Sequence, residues 1–200
     1  MESRATFGQN IGFPQNPALA EWVEKTRVHC EADRVFWCDG SEEEKEHLTR
    51  LAVAQGVLIE LNQEKLPGCY YHRSNPNDVA RVEQCTYICT QAKEDAGPTN
   101  NWAEPRAMYA KLHELLRGCM RGRTLYVVPY LMGPPGSPLT KIGVELTDSI
   151  YVVLNMRIMS RMGRVALEQL GSGDDFNRGT HSTLDLDPER RYICHFPQDN

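Results

Sequence analysis

GCMRGRTLYVVPYLMGPPGSPLTKIGVELTDSIYVVLNMRIMSRMG, residues 118–163, is the stretch whose reading decides the fold. Residues 124–128 are rich in β-branched and aromatic types and read as a strand. GPPGSP at 133–138 interrupts the run, and a second strand is expected over 142–146. Thr147 or Asp148 can cap the helix expected over 149–162, in which Ile150, Val153, Leu154, Ile158 and Met162 recur at helical spacing. Between Arg106 and Arg164 stand nine Lys or Arg against Glu114, Glu145 and Asp148, although the whole chain of 200 residues sums to −5. Positive charge concentrated in this way suits an anionic partner.

Working outward, Asn16-Pro17 opens a helix with Leu19, Trp22 and Val23 on one face. Residues 35–38 read as a short buried strand, and Ser41 with Glu44 as a capping box for a helix striped by Leu48, Leu51 and Ala52. Another strand is expected from Val57. Asn75-Pro76 predicts a turn of helix, followed by a strand over 82–89 that places Arg81 at the junction. Pro105 opens a helix carrying Met108, Leu112, Leu115 and Leu116, and Gly118 closes it. A short helix over 164–170 is followed by a polar, loop-like stretch and a last strand over 192–196. Helices and strands alternate, which predicts an α/β fold, a mixed β-sheet flanked by helices, within a single domain.

The composition excludes several classes. A net charge of −5 argues against a nucleic-acid-tracking surface. No window approaches the roughly 18 apolar residues of a membrane span, and the opening residues lack the pattern of a secretory signal. Seven cysteines without a CxxC are expected to be reduced thiols in a cytoplasmic setting. Six histidines form neither HxH nor HxxxH, so spacing offers no metal site. His181-Ser182 lacks a visible third partner for a hydrolase triad. The glycine- and proline-rich turn is not a phosphate cradle, because Pro134, Pro135 and Pro138 remove three backbone donors.

Two arginine groups invite a site. Arg81 and Glu83 lie two apart at a strand start; a guanidinium fork there suits a carboxylate or phosphate, while spacing alone favours a local ion pair with Glu83 or Asp78 on a solvated face. Arg121 and Arg123, with Arg157, Arg161 and Arg164 at i, i+4 and i+7 of one helix or its continuation, either line an anion pocket or neutralise the SEEEKE run, Glu145 and Asp148.

CDGSEEE at 38–44, DVARVE at 78–83, DAGPTNNW at 95–102 and GCMRGRT, GSPLTKIG and NMRIMSRMG in the opening stretch, in this order, closely resemble the GTP-dependent phosphoenolpyruvate carboxykinases over residues 30–170. A weaker echo lies in His181-Ser182 and ICHFPQDN; TLDLDPERR stands where relatives carry a longer proline-rich insert. The resemblance implies an enzyme converting oxaloacetate and GTP to phosphoenolpyruvate, carbon dioxide and GDP in gluconeogenesis, with Mn²⁺ and a second Mg²⁺ or Mn²⁺ on the nucleotide. It implies that residues 1–200 are the amino-terminal, substrate-side domain of a cytoplasmic monomer about three times as long. The metal-binding lysine and histidine, the nucleotide loop and the lid of the family follow the matched region. It further implies that Arg81 binds a substrate carboxylate and that Glu83 supports the closed site. The competing expectation is a non-catalytic anion-binding or interaction domain of the same fold acting alone. On either reading this chain by itself is expected to be inactive and to bind neither GTP nor Mn²⁺ specifically. Calorimetric titration checks this: saturable micromolar binding of either, abolished by a point change within residues 1–200, would relocate the site.

Overall fold

In the computed structural model, which describes residues 16–78 and 82–199, helices and strands alternate along the chain. They are α1 (Pro17–Cys30), β1 (Arg34–Trp37), α2 (Glu42–Ala54), β2 (Ile59–Glu60), β3 (Tyr70–Tyr71), β4 (Thr86–Cys89), β5 (Asn101–Ala103), α3 (Pro105–Leu116), β6 (Thr124–Met132), β7 (Lys141–Thr147), α4 (Ile150–Met159), β8 (Arg161–Met162), α5 (Arg164–Leu170), β9 (Asn177–His181) and β10 (Ile193–His195). The main sheet runs β1-β6-β7-β9, with β8 on β6. β1 is parallel to β6, β7 antiparallel to β6, and β9 parallel to β7, so the sheet is mixed as expected. A second sheet, β10-β4-β5, is parallel throughout, and β2 and β3 form a hairpin.

The two strands of the opening stretch are the interior strands of the main sheet. Successive β6 side chains alternate between two cores. Leu125 and Val127 join Leu19 and Val23 of α1, Leu167 and Leu170 of α5, and Val144 and Leu146 of β7. Tyr126 and Val128 join Leu48 and Ala52 of α2 and Ile150 and Val153 of α4 on the other face. The sheet is therefore the middle of three layers. Asn16 fastens the first of them, accepting the Leu19 amide at 2.8 Å and donating to the carbonyls of Gly171 (2.9 Å) and Gly173 (2.6 Å).

Pro129 is an unusual residue for an interior strand, since it cannot donate to a ladder. β1 pairs with residues 124–127 of β6 and β8 with Tyr130 and Leu131, so Pro129 falls in the gap between them. Its carbonyl accepts the Gly163 amide at 2.8 Å on that side, where a missing N–H leaves no partner wanting.

Several expected elements are corrected. The helix over 149–162 is shorter: Ser149, not Thr147 or Asp148, caps α4, its hydroxyl oxygen accepting from the Val152 amide, and the chain turns extended at Ser160. Arg161 and Met162 then form β8, so Arg157, Arg161 and Arg164 stand on three elements instead of one helix face. The strand over 82–89 begins as a short 3-10 turn, Glu83–Cys85, and becomes β4 only at Thr86. Asn75 heads a hydrogen-bonded turn, its carbonyl accepting the Asp78 amide at 2.8 Å. The polar stretch after α5 contains β9, an edge strand of the main sheet. Glu44 closes the expected capping box differently: its amide binds Ser41 Oγ at 3.1 Å, while its carboxylate accepts the amides of Asp39 (2.5 Å) and Gly40 (3.3 Å).

The backbone of Asp39 and Gly40 runs directly against that of residues 162–164. Arg164 N donates to Asp39 O at 2.9 Å, and a β-carbon on Gly163, whose φ is +88°, would lie 2.1 Å from Asp39 O. Gly163→Ala therefore combines a left-handed backbone with an overlap against main chain and should cost about 2–5 kcal/mol. Gly56→Ala, at φ +72° with nothing within 4 Å of the added carbon, should cost only about 1–2 kcal/mol. Urea midpoints of the two variants test the difference.

Candidate functional site

Residues 79–81, and with them Arg81, lie outside the described residues, but the chain on both sides is anchored. Upstream, the His72 ring stacks on Tyr151 of α4 (centroids 3.7 Å, 23° between planes) and its Nδ1 contacts the Val57 carbonyl at 2.7 Å. Asn75 Oδ1 accepts the Asn77 amide at 2.9 Å, and the Arg191 guanidinium donates to the Asn77 carbonyl. Downstream, Val82 is buried, and the Asn101 amide donates to the carbonyls of Glu83 (2.7 Å) and Thr86 (3.0 Å). Glu83 itself is exposed at the head of its 3-10 turn. Asp78 is close enough to His181, at the end of β9, to favour that ring's protonated form, against the larger effect of burial.

This places the 72–78 segment beside the polar end of the main sheet. Thr147 Oγ1 lies 2.9 Å from His181 Nδ1 and accepts the Ser149 amide at 3.1 Å. The arrangement suits a neutral imidazole carrying its proton on Nε2, and burial pushes the His181 pKa down, with Asp148 and Asp78 opposing. Next to it the Asp148 carboxylate, with no exposed side-chain surface, accepts from Arg123 Nη1 (2.7 Å), Ser182 Oγ (2.7 Å) and the Thr183 amide (3.1 Å). Arg123 Nη2 also reaches the Leu184 carbonyl at 2.7 Å. A buried carboxylate saturated in this way holds the 181–184 turn against the sheet.

Of the two roles open to the arginines, pairing within the fold is the one that Arg121, Arg123 and Arg157 take. Arg123 neutralises Asp148, and Arg121 pairs with Glu31 at 2.6 Å. Arg157 meets Glu42 at 2.7 Å and approaches Glu44 at 4.0 Å, so two glutamates of the SEEEKE run are met from α4. Arg157 and Arg161 do line one open cavity of about 390 Å³ with Lys45 and Ser160, while Arg164 faces Asp39. His181-Ser182 makes no triad: Ser182 binds Asp148 and His181 binds Thr147. Sequence spacing missed this pairing because 34 residues separate each couple. Among the described residues, no group of three or more His, Cys, Asp or Glu is placed to hold a metal ion. Among them, too, no helix is long and apolar enough to cross a membrane.

Residues 21–200 match the family described as phosphoenolpyruvate carboxykinase N-terminal domain. A phosphoenolpyruvate carboxykinase [GTP] of Anaeromyxobacter dehalogenans (strain 2CP-C) is 62% identical over 185 residues, covering 92% of this chain and 31% of the relative. Those of Neocallimastix frontalis (46% identical; 97% of this chain, 34% of the relative) and Chlamydia trachomatis serovar D (47%; 96% and 34%) are similar over the same region. The chain thus spans about a third of the length of these relatives.

One carboxyl beside this surface gives a pH signature. Glu145 of β7 packs its carboxylate where Gly179 of β9 leaves room, since a β-carbon there would fall 1.9 Å from Glu145 Oε2. Burial pushes its pKa from 4.5 up to about 7. A folded-state pKa above the unfolded one means that the native state binds the proton more tightly. The stabilisation is complete below about pH 4.5 and is lost as pH rises through about 7. Glu145→Gln cannot titrate, so its stability should fall less than that of the wild type between about pH 5 and pH 8, by up to roughly 3 kcal/mol. Parallel urea titrations at the two pH values measure it.

Proposed function

The chain belongs to the phosphoenolpyruvate carboxykinase N-terminal domain family, and on that premise we propose that it is the substrate-carboxylate-binding portion of a GTP-dependent phosphoenolpyruvate carboxykinase. The reaction is oxaloacetate and GTP to phosphoenolpyruvate, carbon dioxide and GDP, a step of gluconeogenesis in the cytoplasm. The observation that carries this reading is the DVAR segment at 78–81, set between two anchored flanks in a chain similar to enzymes named for GTP. Oxaloacetate and phosphoenolpyruvate both carry a carboxylate beside the reacting carbon, and the planar guanidinium of Arg81 can donate two parallel charge-assisted bonds to such a group. Holding that end fixed orients the remainder of the substrate toward the nucleotide.

The anchors make the fork useful. The hydrogen bonds from Arg191 and Asn101 restrain the chain a few residues before and after Arg81, lowering the entropy lost when the side chain closes on its ligand. Glu83, at the first turn beyond, supports the closed arrangement. The Mn²⁺ and nucleotide-bound Mg²⁺ implied by the family have no ligand cluster among the described residues. Metal and GTP belong, on this reading, to the larger remainder of a family-length protein, of which residues 1–200 form the amino-terminal domain.

Arg81→Lys keeps the charge and loses the two-bond geometry. With about 1.5–3 kcal/mol per charge-assisted bond, kcat/KM for oxaloacetate in a family-length enzyme carrying this domain should fall roughly 10- to 150-fold. The Kd for GTP, measured separately, should stay within about twofold. Wild-type kinetics toward oxaloacetate and phosphoenolpyruvate in both the Lys and Ala variants would refute the assignment.

A further inference from the structure

The last turn of α4 turns apolar side chains toward water. Ile150 and Val153 of that helix are buried against the sheet, and Arg157 takes the same inward stripe, with 15% of its side chain exposed. Met159 stands nine residues beyond Ile150; at about 100° per residue it faces away from the sheet. It is 75% exposed, and Ile158, expected on the apolar stripe, is 84% exposed. Met132, at the end of β6, is 44% exposed. The three are contiguous. Met132 and Met159 line one cavity of about 340 Å³, which shares Ser160 and Arg161 with the cavity of about 390 Å³ beside Ile158. Single exposed apolar side chains are ordinary, but a contiguous group rimmed by charge marks a surface that another surface covers.

We propose that this patch is the docking surface for the larger remainder of a family-length protein, which covers it with apolar side chains flanked by carboxylates. The inference rests on the carboxykinase reading only for the existence of that remainder. Three observations select this occupant. The chain spans about a third of the length of its relatives, so most of a family-length protein comes from outside residues 1–200. Ile158 and Met159 lie in NMRIMSRMG, one of the stretches that carry the family resemblance, yet neither core of this domain includes them. The rim is basic, with Lys45, Arg157 and Arg161 against Glu42.

The charges also say what the incoming surface brings. Glu42 is already met by Lys45 at 2.9 Å and by Arg157 at 2.7 Å. Arg161 makes no ion pair among the described residues and is the cation left for a carboxylate from outside. A second copy of the chain fits poorly, because an isologous contact sets the same basic rim against itself.

Docking here bears on the candidate site through α4. The first turn of the helix stacks Tyr151 on His72, at the head of the 72–78 segment, and its last turn carries the patch. One helix thus ties that segment to whatever covers Met159.

The test compares residues 1–200 with a family-length enzyme carrying this domain, treating each with hydrogen peroxide and following methionine sulfoxide by peptide mass spectrometry. Met120 and Met162, both buried, are internal references expected to stay slow in each. Met132 and Met159 should oxidise readily in the 200-residue chain and about tenfold or more slower in the longer protein. Equal rates in the two proteins would overturn the proposal without requiring any variant to fold. Slow oxidation of both methionines already in residues 1–200 would overturn it too, since a second copy or this chain itself would then be the cover. In the longer protein Met159→Asp and Arg161→Glu should each return Met132 toward its fast rate, while the urea midpoint of residues 1–200 should be unchanged by Met159→Asp. Met132 still protected in both variants would place the contact elsewhere and refute the assignment. Wild-type kinetics in the Arg81 variants would strike the substrate reading and leave this protection standing, whereas unprotected methionines in an active enzyme would strike this inference alone.

Discussion

Burial of β6 on both faces and pairing along both its edges is the constraint from which the remaining architecture follows. A strand in that position must present apolar side chains in both directions, which is why its sequence reads as a continuous apolar run instead of an alternating one. Two separate helical layers then have to arrive, α1 with α5 on one side and α2 with α4 on the other. The chain delivers them by crossing the sheet repeatedly, and each crossing ends in a fixed contact. Asn16 meets the end of α5, Asp39 and Gly40 meet Gly163, and Pro129 leaves its single carbonyl for the same glycine. The polar edge of the sheet, with Thr147, Glu145 and His181, is thereby set on a rigid support, as a binding surface requires.

Electrostatics in this chain are mostly internal. The arginines of residues 118–163 look like an anion-binding surface when counted along the sequence, yet the geometry gives Arg121, Arg123 and Arg157 carboxylate partners within the fold. The Arg123–Asp148 pair is the most consequential, because Asp148 is wholly enclosed and its loss would leave a guanidinium, the Ser182 hydroxyl and the Thr183 amide without their common acceptor. Exposed pairs such as Arg121–Glu31 contribute much less, being screened by water. The same enclosure tunes the chemistry nearby: burial lowers His181 and raises Glu145.

The interior of the sheet was legible because β6 and β7 carry apolar, β-branched runs separated by a proline-rich turn. β9 was not, since NRGTH has no apolar member and is a strand only because β7 offers it one free edge. The arginine spacing at 157, 161 and 164 misled for a physical reason: helical periodicity presumes a helix, and α4 stops at Met159, where Ser160 turns extended and β6 recruits the next two residues. At the candidate site, the reading of Arg81 and Glu83 rests on the DVARVE motif. The Thr147–His181 and Asp148–Ser182 contacts join distant residues and leave no trace in local spacing.

The parallel pairing of β10 with β4 joins residues 193–195 to 86–88, and Arg191 reaches back to Asn77. A nascent chain leaving the ribosome therefore cannot complete this small sheet until nearly all of the 200 residues have emerged. Loop closure over about a hundred residues is entropically demanding and slow compared with forming α1 or the β6–β7 hairpin. The main sheet's hairpin is thus able to assemble early, whereas the Arg191–Asn77 bond and the β10–β4 pairing, on either side of residues 79–81, form last. During synthesis the flanks of the DVAR segment are therefore among the last parts of the chain to be fully restrained.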